Sequence, residues 1–203
     1  MSLLTKKTVI GIEQETTEGT AATIAATDFI LAEDIQFKDV IERGARPAQR
    51  ATLDTMPSVT MKKYIEVSFR TEIKASGAAG TAYAPLGVAL QACGMTEAIS
   101  AGVSVTYAPT SAPASANYMG PGKTVTIAIY ADGVCKATIV GCRGNVKIII
   151  TPAGVCYYEF TFQGVWVALT DVALPTTTFL AGNPATTTST FLIQAYAAIA
   201  HSL

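Results

Sequence analysis

Carboxylates are the residues of this sequence whose spacing best suits acid and base chemistry. Two groups lie close enough along the chain to pair: Glu13, Glu15 and Glu18, and then Glu66 and Glu72. A glycosidase uses two such carboxyl groups at a fixed separation across a cleft. Glu66 and Glu72, however, alternate with basic residues on the polar side of one predicted strand, which is typical of a solvated or subunit-facing surface. The sequence therefore nominates no catalytic residue among the acids.

The histidine and the cysteines also provide no candidate site for catalysis or metal binding. The single histidine, His201, lies at the C-terminal end of the sequence, where chains usually fray. A Ser/His/Asp or Cys/His catalytic set therefore has no base. The cysteines include no Cys-x-x-Cys pair, which argues against a zinc site. We expect no catalytic, cofactor or metal site, and we interpret the cysteines as buried thiols: Cys93, Cys135, Cys142 and Cys156.

A short glycine segment ends like a phosphate-binding loop, in Gly122-Lys123-Thr124. That motif also requires a glycine five positions before Gly122, where Asn117 stands, and a helix after it, where a strand-like run follows. We therefore interpret the segment as a turn that leads into a strand.

The composition indicates a folded chain with more apolar surface than a monomer needs. Of 203 residues, 50% are hydrophobic and 14% are charged, whereas charged residues make up about 25% of ordinary soluble domains. Mean hydropathy is +0.37, yet no apolar run approaches the roughly 18 residues of a membrane span, and no secretory signal is expected. The net charge of -1 gives no basic footprint for sequence-specific DNA binding. We expect the surplus apolar surface to contact other protein.

Alternation of apolar and polar residues predicts a series of antiparallel strands. Strand patterns occur at residues 8–12, 30–37, 61–74, 103–107, 124–131, 134–140, 146–151 and 156–167. Asp132-Gly133 predicts a tight hairpin, because a type I′ turn needs positive φ at both central residues. Residues 141–145 and 152–154 are predicted as further turns.

A single short helix is predicted after Pro85, which suits the first turn of a helix. Its apolar face comprises Leu86, Ala89, Leu90 and Cys93, and Gly94 ends it. The elements together predict a mainly β fold, an antiparallel β-sandwich or barrel with one short flanking α-helix and a long extended loop.

The predicted β domain spans residues 1–172, and residues 173–203 are a Thr/Ala-rich C-terminal tail of uncertain structure. The long loop spans about residues 40–63, and between Val40 and Pro57 neither helical nor strand periodicity persists for long. Loops of this length are uncommon in compact domains and are usually functional or disordered.

Several short motifs follow one another along the chain. In the first half of the chain these motifs are GIEQETTEGT from Gly11, Glu42-Arg43 in the long loop, APLG from Ala84 and LQACG from Leu90. In the second half they are VTYAP from Val105, YADG from Tyr130, GCRGN from Gly141 and YEFTFQG from Tyr158. Together they cover about residues 10–175, and in this order they resemble the tail tube proteins of long-tailed phages and prophages.

The resemblance implies a virion structural protein that is not an enzyme and needs no cofactor. Members of that family are β-sandwiches with a flanking helix, and they form hexameric rings that stack into a tube for DNA passage. By this resemblance the chain contacts copies of itself and other tail proteins, and it works in the virion tail after assembly in the bacterial host cytoplasm. The loop would reach a neighbouring ring with its charged residues: Glu42, Arg43, Arg46, Arg50 and Asp54.

A monomeric β-sandwich binding module, such as an adhesin or a carbohydrate-binding domain, is the alternative interpretation. Its stacking platform would be drawn from four aromatic residues: Tyr64, Tyr107, Tyr118 and Trp166. Trp166 lies on the same face of one predicted strand as Phe160 and Phe162, which favours a place in the core instead.

Overall fold

In the described part of the chain, antiparallel strands and one short helix make up the fold, which confirms the mainly β class predicted from the sequence. A computed structural model describes residues 7–48, 51, 56–110, 124–132, 134–151, 154–180 and 184. The helix, α1, is Ala84–Ala92. The strands are β1 (Val9–Gln14), β2 (Phe29–Ile30), β3 (Ala32–Gly44), β4 (Val59–Glu72), β5 (Met95–Ser100), β6 (Ser104–Pro109), β7 (Val125–Ala131), β8 (Cys135–Ile149) and β9 (Tyr157–Asp171).

Seven of the strands form one sheet in the order β2-β1-β7-β8-β9-β4-β3, and β5 pairs with β6 in a separate hairpin. The two end strands of the large sheet, β2 and β3, are separated along the chain by Leu31 alone. The sheet must therefore curl until its two ends meet at that residue, which gives it the shape of an open barrel.

The hydrophobic core fills the inside of this curl. Phe69, Phe160 and Phe162 stack there. The ring centroids of Phe69 and Phe160 are 5.3 Å apart, and those of Phe160 and Phe162 are 5.8 Å apart. Helix α1 closes the core with its predicted apolar face, in which Ala89 and Leu90 are buried. The helix ends before Gly94, whose φ of +83° is readily adopted only by a residue without a side chain.

Two of the strands, β8 and β5, differ from the sequence prediction. The predicted turn at residues 141–145 is a bulge inside the continuous strand β8, with a register shift between Val140 and Arg143. Gly141 has a φ of +63°, a conformation that serves a bulge as well as a turn. The sequence also does not predict β5, because Met95–Ser100 has no clear alternation of apolar and polar residues.

The predicted long loop is shorter in the structure, because β3 continues to Gly44 and β4 begins at Val59. Only residues 45–58 connect the two strands, and residues 49, 50 and 52–55 lie outside the described ranges. Pairing across the two strands continues past a register shift at Glu42 and Arg43, which interrupts the alternation expected of a strand. Residues 173–180 of the predicted tail have no regular secondary structure, and the rest of the tail except residue 184 is not described.

Candidate assembly surface

The large sheet divides into two parts at Gly164, where strands β4 and β9 stop pairing with each other. Described pairing between β4 and β9 runs from Ile65 opposite Gly164 to Glu72 opposite Tyr157. Beyond that point, residues 59–64 of β4 pair with β3, whereas residues 165–171 of β9 pair with β8. Residues 40–44 and 59–64 therefore form a two-stranded arm that separates from the rest of the sheet.

An apolar stripe runs along β3 and β4 on the face that continues the core side of the sheet, where the charged Asp39 and Lys63 interrupt it. Its members are between 44% and 71% exposed: Phe37, Ile41, Val59 and Met61. Phe37 lies opposite the buried Val67, so both side chains point to the core side. Helix α1 packs mainly on β1, β2, β5, β7 and β8, and the stripe extends beyond its cover. Trp166 contacts the stripe, with its ring centroid 6.3 Å from that of Phe37.

The opposite face of the same strands is polar and carries charges of both signs. Arg70 lies 3.6 Å from Glu159, and Lys147 lies 3.5 Å from the other oxygen of that carboxylate. Lys38 stands opposite Glu66 in the register of β3 and β4. Exposed ion pairs of this kind add little stability but keep a surface compatible with water. On the arm itself, Glu42 and Lys62 lie on this polar face, whereas Ile41 and Met61 lie on the other face together with Lys63.

Strand edges around the arm are open for further pairing. The outer side of β3 has no paired strand in the described ranges over its 13 residues. The divided edges of β4 and β9 likewise expose backbone groups where the two strands separate. Such edges accept strands from other chains unless they are covered.

The structure places three of the predicted loop residues on or next to the arm. Glu42 and Arg43 belong to β3 and lie opposite Lys62 and Thr60, and Arg46 follows the strand; all three side chains are exposed. Arg50 and Asp54 lie outside the described residues. The sequence prediction missed the apolar stripe, although the alternation of Val59, Met61 and Ile65 in β4 carries its signal.

The five acidic residues considered for catalysis lie in separate environments, and they do not form the carboxylate pairs considered from the sequence. Glu18 lies 3.5 Å from Arg143, and Glu72 lies 2.7 Å from Lys74. Burial, and then the negative charge of Asp28, raises the pKa of Glu13 above its ordinary value.

Glu15 is buried and works as a structural anchor. Its Oε1 accepts hydrogen bonds from the Thr126 hydroxyl at 2.9 Å and the Gly141 N–H at 2.8 Å. Its Oε2 accepts the Gly19 N–H at 2.8 Å and the Thr124 hydroxyl. These donors join the segment after β1 to β7 and to the bulge of β8. A buried carboxylate is tolerated where several donors satisfy it, as they do here.

The aromatic residues of the alternative binding platform do not come together. Tyr107 lines a cavity of about 320 Å³ with Tyr83 and Tyr158, and its hydroxyl donates a 2.7 Å hydrogen bond to Glu97. Tyr64 lies beneath the Lys62 ammonium at 4.6 Å, whereas Trp166 contacts Phe37 on the core side. The fourth member, Tyr118, lies outside the described ranges.

The cysteines whose side chains are described are free thiols: Cys93, Cys142 and Cys156. Burial raises the pKa of Cys142 to about 12, and it does the same for Cys93. We expect iodoacetamide at pH 8 to leave Cys93 and Cys142 unmodified in the folded protein, because only the thiolate reacts. Peptide mass spectrometry should find both labelled after addition of urea, and rapid labelling of native Cys142 would contradict its burial.

Over the residues that the structure describes, the fold and its open arm define the class as a mainly β protein with one helix and unpaired strand edges. No helix in the described ranges is long and apolar enough to cross a bilayer. No protein-family model matches the chain, and no curated protein matches it.

The chain is similar in structure to one chain of a solved structure described as "Cryo-EM structure of the anti-feeding prophage (AFP) baseplate, 6-fold symmetrised". The two share 5% sequence identity with a TM-score of 0.47, over 85% of this chain and 97% of that chain. A likeness of this size assigns neither a family nor a function.

Proposed function

We propose that this chain is a structural subunit of a phage or prophage tail, which self-assembles into rings stacked as a tube for DNA passage. In this role it binds copies of itself and other tail proteins, uses no cofactor and catalyses no reaction. It acts in the virion tail after assembly in the host cytoplasm. The resemblance of the sequence motifs to tail tube proteins supports the proposal.

The exposed apolar stripe on the arm is the observation that carries the proposal. Fully burying a side chain such as Ile, Val, Phe or Met contributes roughly 1.5–3 kcal/mol, although association entropy offsets part of this. Four such side chains share one face with the charged Asp39 and Lys63, a mixture of apolar and charged groups that a protein interface accommodates.

Contact between unlike surfaces explains how one subunit can lead to a ring or a stack. The open outer edge of β3 forms one side of the arm, whereas the edge of β9 that β4 leaves unpaired after Gly164 lies on the body of the sheet. A surface that binds a different surface of the next copy makes a head-to-tail contact, which either closes into a ring or continues as a filament. The proposed assembly uses contacts of this type.

The substitution Met61→Asp tests the role of the stripe. Met61 is 71% exposed, so the change leaves the core of the monomer intact. We expect assembly of the variant to need at least about tenfold more protein, because a lost contact of about 1.4 kcal/mol changes an association constant tenfold. Sedimentation over a concentration series, with negative-stain electron microscopy, measures the effect.

Thr60→Asp is the matched control, since it adds the same charge at an exposed neighbouring position of the arm. The control should assemble like the wild type, and both variants should keep the wild-type melting temperature. A wild-type protein that stays monomeric at every concentration would reject the proposed function, and glycan binding by that monomer would favour the alternative module. Normal assembly of Met61→Asp would reject only the role of the stripe.

A further inference from the structure

Residues 172–180 follow β9 and cross the body of the protein as a strap without regular secondary structure. Backbone hydrogen bonds to other parts of the described chain hold the strap near its two ends. The Val172 N–H donates to the Val134 carbonyl at 3.0 Å, and the Thr178 N–H donates to the Ala26 carbonyl at 2.8 Å. The attachment of the strap therefore depends largely on the side chains that it buries.

One face of the strap packs on the protein, and the other face is exposed. Half-buried side chains alternate with exposed ones along it, as in an extended chain on a surface; the half-buried ones are Pro175, Thr177 and Phe179. Phe179 packs on a second, smaller hydrophobic cluster, whose members are at most 4% exposed: Phe29, Ala128 and Tyr130. The body of the protein therefore has a surface whose shape fits this particular segment.

Leu180, at the end of the strap, lies at the seam where the two ends of the large sheet meet. It lines a narrow crevice there together with Ile30 of β2, Leu31, Thr71 of β4 and Tyr83. The strap thus extends from the end of β9, across the small cluster, to the seam. A fit over this length specifies one segment better than an isolated apolar contact does.

The root of the strap is less well packed than the rest of it. Val172 is 42% exposed and Leu174 is 38% exposed, and Val134, which accepts the first backbone bond, is 47% exposed. Pro175 follows and has no N–H to donate. The chain between Asp171 and Pro175 can therefore take another direction without opening the hydrophobic core.

We propose that neighbouring copies of this chain exchange their straps. The strap of one copy binds the Ala26 carbonyl and the cluster of Phe29, Ala128 and Tyr130 on the next copy. Both copies have the same sequence, so the surface that fits the strap is present on each of them. Every copy donates one strap and accepts one, which is a head-to-tail contact that continues from copy to copy. This inference rests on the proposed function and specifies one contact through which the copies bind each other.

Effective concentration decides whether the strap binds its own copy or the next one. In a lone monomer the short tether to β9 keeps the strap at an effective concentration on the order of millimolar, so the strap returns to its own surface. In an assembly the strap of the neighbouring copy is tethered close by as well. Exchange then replaces each contact by an identical one, and it adds a connection that must break before the two copies separate.

The double substitution Ala26→Cys and Thr178→Cys tests which copy provides the strap. Both side chains are exposed, and the two residues are joined by a backbone hydrogen bond, so a short reducible bismaleimide can bridge them wherever the strap is bound. The full-length variant is crosslinked after assembly and analysed on a denaturing gel without reductant. We expect a ladder of covalent multimers from assembled protein and internally linked monomers from dilute protein, whereas each single substitution should give no ladder. Assemblies that yield only linked monomers would overturn the exchange and leave the proposed function intact.

Crosslinking the same variant before assembly provides a second test, because a strap that is linked to its own copy cannot be donated. We expect the linked monomer to need at least about tenfold more protein to assemble than the unlinked variant, and we expect cleavage of the linker by reductant to restore assembly. Linked monomers that assemble as readily as unlinked ones would also reject the exchange. A wild-type protein that never assembles would reject the proposed function and the exchange together.

Discussion

The substitution Glu15→Gln is expected to lower the free energy of unfolding by about 2–4 kcal/mol. Each carboxylate oxygen of Glu15 accepts one backbone N–H, from Gly141 on Oε1 and from Gly19 on Oε2. A glutamine places an NH₂ group at one of these two positions. Either orientation of the amide therefore leaves a backbone donor facing another donor. The hydroxyls of Thr124 and Thr126 can rotate to adapt, but the two backbone groups cannot.

Glu13→Gln is the matched control for this prediction, since it makes the same chemical change two residues earlier. Burial and the charge of Asp28 disfavour the ionised Glu13 carboxyl, so the neutral amide should not destabilise the fold at pH 7 and should slightly stabilise it. Urea unfolding followed by Trp166 fluorescence, at a concentration where the protein is monomeric, measures both variants. Equal stability of Glu15→Gln and wild type would mean that the Glu15 network does not hold the segment after β1.

Gly164→Ala is expected to destabilise the protein by about 2–4 kcal/mol, in the range of severe overpacking. A Cβ atom at this position would lie 2.5 Å from the Cys142 Sγ atom and 2.8 Å from Ile139 Cγ2. It would also lie 2.9 Å from the Val140 carbonyl oxygen, which belongs to the backbone and has little room to move. The added methyl group must therefore push β9 away from β8 at the point where the sheet divides.

Two further variants isolate the cause of the Gly164→Ala effect. Gln163→Ala, at the exposed neighbouring position, should change the free energy of unfolding by less than about 0.5 kcal/mol. Combining Gly164→Ala with Cys142→Ala removes the sulfur nearest to the new methyl group, so the double variant should lose less stability than the two single effects added together. Strictly additive losses, or an unaltered urea midpoint for Gly164→Ala alone, would contradict the predicted collision.

Much of the fold was predictable from local pattern. Alternation placed Phe160 and Phe162 on one face of β9, and both are buried. Pro85 and Gly94 bracket the helix as predicted. Asp132 has a φ of +53° in the turn between β7 and β8, in agreement with the predicted hairpin. These features were accessible because propensity, capping and alternation depend on residues close together in the sequence.

The candidate surface was less accessible from the sequence. The charged residues Glu42 and Arg43 were chosen from a presumed loop, yet they lie in β3 beside an apolar stripe. The alternation of side chains along β3 and β4 predicts that Ile41 and Met61 face the core, as Val67 does. Only the curl of the sheet, which brings Val67 into the main hydrophobic core, decides that Val67 is buried and that Ile41 and Met61 are exposed.

By itself the sequence determined the mainly β class, the positions of most strands, the helix and the face that each strand turns to the core. The tertiary structure alone decided that Gly141 forms a bulge, that Glu15 is an anchor, and that the sheet divides at Gly164. The physical reason is that strand direction follows from neighbours in sequence, whereas burial and hydrogen-bond satisfaction depend on partners more than 100 residues away, as for Glu15 with Thr124, Thr126 and Gly141.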